Sequence, residues 1–461
     1  MISMTLAEVA AAVGGQVVGD PEVVVTAAAA VDSRSVPEGG LFVAVAGEHV
    51  DGHDYAPAAL RSGAAAVLGS RATAAATVVV DDVVLALGRL ASYVVGQLPS
   101  TTVLAITGSQ GKTGTKDYLA QILGASGPTV ATAGNNNNEI GVPLTMLRAT
   151  PETRYLVLEM GARGIGHIAY LCDLARPSIA AVLNVGTAHV GEFGSREAIA
   201  VAKGEIVEGL PADGVGVLNG DDPFTREMGA RTDARVITFG EEVDNDLHFV
   251  DTLVDDLGRA TTTYLWEGVE RRVSLTQPGF HQVLNAAAAA AMALGAGLAF
   301  DDVMDALGSA VSMSRWRMEL HESAEGVVIL NDSYNANPAS MRAALTTLQA
   351  IGVERGARTI AVLGEMRELG AETEEAHLAI GAFAAARGID TVLAIGEVAR
   401  HLLDGVIQHT ESSTTGVYAA DRAAALAWLR ENIAPGDVLV VKASRGAELD
   451  KVAEVLVEEN P

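Results

Sequence analysis

Two glycines three residues apart, followed at once by lysine and threonine, form the stretch Thr107-Gly108-Ser109-Gln110-Gly111-Lys112-Thr113. Any fold that accommodates it must carry a buried strand, predicted over residues 102–106, through a tight turn into a helix predicted over 116–123. Glycine backbone lets the loop N–H groups converge on one point, and the helix start adds partial positive charge there. Lys112 can then neutralise β- and γ-phosphate oxygens, and the Thr113 hydroxyl can hold a magnesium ion. Position 106, five residues before the second glycine, is isoleucine, so the loop is of the short GxxGKT type. Gly108, Ser109, Gln110, Gly111, Lys112, Thr113 and Gly114 are the candidate nucleotide contacts.

A chain of 461 residues is too long for one compact unit and suggests about three. The strand and helix patterns place the units at 1–98, 99–312 and 313–461. A formal charge of −27 argues against nucleic acid as a partner. One cysteine, Cys172, forbids an internal disulfide and fits a reducing cytosol. The first ten residues lack a basic segment of the kind that opens a signal peptide. The longest apolar run, 286–300, is alanine- and glycine-rich and too short to span a bilayer, so it reads as a buried helix. The location implied is cytoplasmic, with no membrane contact.

In the first unit, residues 5–13 predict an amphipathic helix, and 23–27, 41–45 and 65–68 predict strands. Between them Asp32-Ser33-Arg34-Ser35 can be either a diphosphate site, through Ser33 and Arg34, or a plain Asx-type turn with a surface arginine. In the second unit, 134–139 (Gly-Asn-Asn-Asn-Asn-Glu) interrupts helix and supplies amide donors and acceptors. Residues 155–160 predict a buried strand that ends at Glu159. An acid at the tip of such a strand is where an α/β sheet presents ligands, and magnesium takes oxygen ligands. Residues 179–185 repeat the pattern, with Asn184 at the end and His189 beyond; a lone histidine is usually structural. Lys203 and Glu205 fall on a helix predicted over 195–209, where charged residues ordinarily form a solvated face. Residues 241–256 read as an edge hairpin or exposed loop. His281 and Asn285 open a long alanine-rich helix. In the third unit, strands over 327–332, 359–364, 391–396 and 437–443 alternate with helices. The fold class is α/β in three units, the central one carrying the phosphate loop and the third a doubly wound domain with a largely parallel sheet.

Ten segments in order resemble the Mur ligase family: TGSQGKTGTK (107–116), GNNNNEIGVPLT (134–145), LEMGARGIGHI (158–168), NVGTAHVGEFGS (184–195), AKGEI (202–206), LNGDDP (218–223), HQVLNAAAA (281–289), NDSYNANPASM (331–341), LGEMRELG (363–370) and VKASRGAELD (441–450). The resemblance covers essentially the whole chain. It implies three domains: a first holding a UDP-sugar, with the DSRS segment contributing Ser33 and Arg34, a central P-loop ATPase domain with a mostly parallel sheet, and a C-terminal Rossmann-like domain. It implies an ATP-dependent peptide ligase that joins D-Ala-D-Ala to the terminal carboxylate of UDP-MurNAc-tripeptide through an acyl phosphate, for cell-wall peptidoglycan. A ligase for another amino acid and a non-catalytic nucleotide-binding relative are the alternatives.

By family position, Lys112, Lys203 and His189 are catalytic, and Thr113, Glu159, His189 and Lys203 hold Mg²⁺. A lysine ammonium cannot ligate a metal. The family's lysine in A-K-G-E reacts with CO₂, so the resemblance implies a carbamylated Lys203. Asn285, Arg317 and Asp332 are implied ATP contacts, with Arg315 the alternative to Arg317 after the hinge. Asn135, Asn138, Asn335 and Asn337 are implied substrate contacts. Gly114 stands where Ser or Thr is common, a change expected to matter little. The resemblance implies a monomer.

Overall fold

Valine- and leucine-rich runs alternating with alanine-rich helices build three large sheets and a two-stranded ribbon in this computed structural model, which describes residues 1–47, 50–186 and 193–460. The first sheet has five strands, in the spatial order Gln16–Val18, Thr77–Val79, Ala66–Gly69, Leu41–Val43 and Ala29–Ala30. Only its first pair is antiparallel. The helix Leu6–Val13 starts at a capping box formed by Thr5 and Glu8 and stops at Gly14, whose φ of 73° is left-handed. The strand expected over 23–27 shrinks to Val24–Val25, which pairs with Met4–Thr5 in a ribbon outside the main sheet.

The central sheet has nine strands. Thr129–Ala131, Tyr155–Glu159, Thr102–Thr107, Ile179–Val182, Val215–Asn219 and Arg235–Gly240 run parallel in that spatial order. After Thr102–Thr107 the chain lays Thr129–Ala131 and Tyr155–Glu159 on one side, then Ile179–Val182 on the other. The tip of Thr102–Thr107 is therefore a topological switch point, where open α/β sheets bind ligands. The sequence reading of 241–256 is overturned. Leu247–Val254 is an interior strand, followed antiparallel by Arg259–Trp266 and Val269–Pro278. Every second residue of Arg259–Trp266 up to Tyr264 is buried, a period-two signal that the acidic lead-in concealed.

The alanine run lies in a helix, His281–Gly295, with residues Ala286 to Ala293 fully buried. It does not continue to 300, because Gly297 turns left-handed and a second helix starts at Phe300. Small side chains let this helix lie close against the phosphate-loop helix, Lys112–Ser126, in one apolar cluster on that sheet face. A second cluster joins the opposite face to the first sheet, so these two share a core. It includes Cys172, whose thiol burial pushes up to about 12, leaving it unreactive at neutral pH.

The third sheet has six strands, in the order Glu319–Glu322, Val328–Asn331, Val438–Lys442, Thr359–Leu363, Thr391–Ile395 and Thr415–Ala419. All pairs but the first are parallel, with helices on both faces. The end strands Glu319–Glu322 and Thr415–Ala419 were not anticipated; both are half exposed and carry no continuous apolar run. Among the described residues no helix is long and apolar enough to cross a membrane.

Candidate active site

Thr102–Thr107 delivers its chain into the loop at the switch point, and the following helix starts at Lys112, four residues earlier than its pattern suggested. Gly111 has a φ of 79°, and a Cβ there would strike the Asn285 side chain. The helix start carries no side-chain cap, which leaves its N–H groups free for an anion. Lys112 folds back and donates from Nζ to the Gly108 carbonyl at 2.7 Å. Asn184 pins the loop from the neighbouring strand, accepting from the Gln110 N–H at 3.0 Å and donating to the Gln110 carbonyl at 3.2 Å. Ser109 Oγ accepts from the Gly186 N–H.

Glu159 stands buried at the tip of the adjacent strand. Its Oε2 accepts from the Thr113 hydroxyl at 2.9 Å and its Oε1 from Asn137 Nδ2 at 2.8 Å. Of the four asparagines it is thus Asn137 that meets the acid, a residue the sequence reading did not single out. Asn138 instead accepts from the Gly141 N–H at 2.9 Å at the start of the next helix, and Asn135 accepts from the Asn137 N–H through its carbonyl.

Lys203 and Glu205 contradict the solvated-face reading, since each is only 6% exposed. Glu205 accepts from the N–H groups of Gly166 at 2.5 Å and Ala169 at 3.0 Å, capping the helix His167–Ala175. Lys203 makes no hydrogen bond or ion pair with a described residue. Burial, and then the charge of Lys112, push its amine well below the ordinary lysine value. Lys112 is itself lowered by burial, raised by Glu159 and lowered again by Arg317, which places all four groups within one electrostatic neighbourhood. Gly204 has a packing reason: a Cβ there would collide with the Arg231 guanidinium, which donates to the Ala200 and Val201 carbonyls and steadies the helix. His189 lies outside the described residues.

Asn285 sits against the loop, its Nδ2 donating to Gln282 at 3.0 Å. A Cβ at position 114 would lie 2.9 Å from that same Nδ2, so a larger residue there would require the Asn285 side chain to shift. The third sheet brings Arg317, whose guanidinium lies 4.2 Å from the Tyr334 ring centroid, and Asp332, whose charge reaches His281. Burial lowers the His281 pKa, Asp332 raises it and Lys442 lowers it.

Lys442 is the residue the sequence reading missed on this side. It is 2% exposed at the tip of Val438–Lys442, and its Nζ donates to Asp332 Oδ2 at 2.6 Å and to the Asn335 carbonyl at 2.8 Å. The strand-tip logic that found Glu159 would have found it. Asn335 Oδ1 is turned to the Ala336 N–H, and Asn337 caps the helix Pro338–Arg355 with Ser340, so both have local structural work. Lys442→Met strands the Asp332 carboxylate and is expected to cost about 3 kcal/mol, the scale for breaking a buried pair. A thermal unfolding midpoint equal to that of the parent chain would show that the pair contributes nothing. In the first sheet Asp32 accepts from the Arg34 N–H in an Asx turn, and the Arg34 side chain pairs back to it, holding Asp32 at about 2. Ser33 is buried beside this turn.

Residues 28–93 match the Mur ligase family catalytic domain, 106–293 the Mur ligase middle domain, and 316–445 the Mur ligase glutamate ligase domain. A UDP-N-acetylmuramoyl-tripeptide–D-alanyl-D-alanine ligase of Mycobacterium tuberculosis is 41% identical over 503 residues, covering 100% of this chain and 99% of its own. The crystal structure of MurF from Acinetobacter baumannii superposes with a TM-score of 0.88 at 30% identity over 99% of each chain. MurF ligase from Thermotoga maritima, solved in complex with ADP, superposes with a TM-score of 0.81 at 31% identity, covering 94% of this chain and 98% of that one.

Proposed function

The chain belongs to the Mur ligase family, and from that membership we propose that it is an ATP-dependent ligase that joins D-Ala-D-Ala to the terminal carboxylate of UDP-MurNAc-tripeptide for peptidoglycan synthesis. The observation that carries the reading is the Thr113–Glu159 hydrogen bond at the phosphate loop, within the field of Lys112 and the desolvated Lys203. Two anions must meet here, a carboxylate and a polyphosphate, so gathered positive charge is the main requirement.

In the first step an acceptor carboxylate oxygen bonds to the γ-phosphorus while the bond from that phosphorus to ADP breaks. The dipeptide's neutral amine then attacks the acyl carbon and loses a proton, and phosphate leaves. Lys112 and the loop N–H groups bind and orient the phosphates. Thr113 and Glu159 are buried, all-oxygen and already in contact, which fits Mg²⁺ completed by water and phosphate oxygens. When bound, Mg²⁺ would offset charge on the transferring phosphoryl group. Lys203 offers an amine whose charged form burial and Lys112 disfavour; in its neutral form it can add CO₂ and lose a proton, and the resulting carbamate would be held by Lys112. Asn285 and Asp332 would serve the adenosine end, and Ser33 and Arg34 the UDP end, with Asn135, Asn138, Asn335 and Asn337 supporting the substrate loops. We place the reaction in the cytoplasm, carried out by a single chain.

The test is incubation with ATP, UDP-MurNAc-tripeptide and D-Ala-D-Ala, with product mass and ADP followed together. One new amide per ADP is expected, in either the diaminopimelate or the lysine form of the tripeptide. ATP left intact in the complete mixture would overturn the reading, and turnover with a single amino acid in place of the dipeptide would reassign the amine substrate.

A further inference from the structure

The strands Val328–Asn331, Val438–Lys442 and Thr359–Leu363 are neighbours in the third sheet, so the loops that follow them lie side by side. The first of these loops, 332–337, borders the reaction centre: its Tyr334 lies in the field of Glu159 and against the Arg317 guanidinium. Ser444 ties the three loops together. Its N–H donates to the Glu365 carbonyl at 2.9 Å, and its Oγ accepts from the Arg367 N–H at 2.9 Å and donates to the Ala336 carbonyl at 3.3 Å. Only 3% of Ser444 is exposed, so these bonds are made away from water.

The turn between Glu365 and Arg367 is held in its own right by His377, a wholly buried residue of the helix Thr373–Ala386. Its Nδ1 lies 2.6 Å from the Thr373 carbonyl oxygen, and its Nε2 accepts from the Met366 N–H at 2.9 Å. A carbonyl can only accept and an amide N–H can only donate, so the ring is neutral with its proton on Nδ1. A second proton would set N–H against N–H where no water can intervene. Burial lowers the pKa of the ring, the bond to Thr373 raises it, His401 lowers it and Glu365 raises it. His401 comes from the adjoining helix His401–Gln408, with Asp404 and Glu374 beside it, and Glu365 from the turn itself. The helix Pro338–Arg355, also packed on this helix, turns its Arg342 onto the Phe383 ring.

We propose that His377 is a positioning residue for the ligase reaction, bracing the turn at Met366 so that Ser444 holds the 332–337 loop in place beside Glu159. The assignment rests on the ligase reading above. A histidine that merely filled the core would act through overall stability and would not be coupled to Ser444.

The test compares the parent chain with His377→Phe, His377→Gln, Ser444→Ala and the double variant His377→Phe/Ser444→Ala, by amide-forming rate and thermal unfolding midpoint. Phenylalanine keeps a ring and leaves the Met366 N–H unpaired, whereas glutamine supplies one donor and one acceptor that do not titrate. Well below their midpoints, His377→Phe and Ser444→Ala are each expected to lower kcat/KM about 10-fold, the scale of one unpaired buried group, and His377→Gln to recover most of that loss. The double variant is expected to fall within about threefold of the poorer single one, because both changes cut the same chain of bonds. As pH falls below the ordinary histidine value of 6.5, the unfolded chain takes up a proton that folded His377 refuses. The parent midpoint is therefore expected to drop on that side, and the glutamine midpoint to drop less. Parent-like rates in folded His377→Phe or in Ser444→Ala, single effects that multiply in the double variant, or a glutamine variant no better than phenylalanine would each overturn the assignment. Should His377→Phe not fold, Ser444→Ala and the pH dependence of His377→Gln decide, and a pH dependence equal to the parent's would overturn it. A parent chain that forms no amide would defeat the ligase reading itself, a result distinct from active enzyme indifferent to His377.

Discussion

Lys112→Ala is expected to abolish turnover and to leave the protein folded. Among the described residues Lys112 is the lysine held inside the phosphate loop, bonded back to the Gly108 carbonyl. Its charge acts where negative charge accumulates, so its loss is expected to lower kcat at least about 1,000-fold, roughly 4 kcal/mol of transition-state stabilisation. The fold is expected to survive, because the side chain makes a single hydrogen bond and burial already disfavours its charged form. Phosphate release and thermal unfolding together check this, and near-normal activity in a folded variant would remove Lys112 from the mechanism.

The second large effect is at Lys203. A cationic lysine would be costly in this position, since both burial and Lys112 oppose its charge. Between that depressed pKa and the ordinary value of 10.5, the unfolded chain binds a proton that the folded chain does not. Unmodified protein therefore gains stability as pH rises through that window and carries the full penalty below it. A carbamate reverses the conflict, because an anion beside Lys112 is favoured. Lys203→Ala is expected to lower turnover about 1,000-fold or more, with partial recovery on adding short carboxylic acids that occupy the vacated space. Intact mass measured under CO₂ without acid should show one extra CO₂ on the parent chain and none on the variant. Unmodified Lys203 in active protein, together with a variant that no acid rescues, would exclude the modified residue.

Much of this site was legible in the residues. The GxxGKT loop, the acid at the tip of 155–160 and the strand–helix alternation are local patterns, and each forms where its spacing placed it. The three long strands from Leu247 to Pro278 were obscured by the acidic stretch before them. Lys442 was quoted within a motif but given no role, since its partner Asp332 is 110 residues away.

What the sequence determined by itself was the chemistry that neighbouring residues complete among themselves: a turn that needs glycine, a helix start that faces an anion, an acid at a strand end. What only the tertiary structure decided was which polar groups lose water together. Asn137 rather than Asn138 meets Glu159, Lys203 is stripped of solvent beside Lys112, and Lys442 meets Asp332 from 110 residues away. The physical reason is range. Turn and cap geometry is settled within a few residues of chain, whereas desolvation and charge fields depend on every element packed around a group.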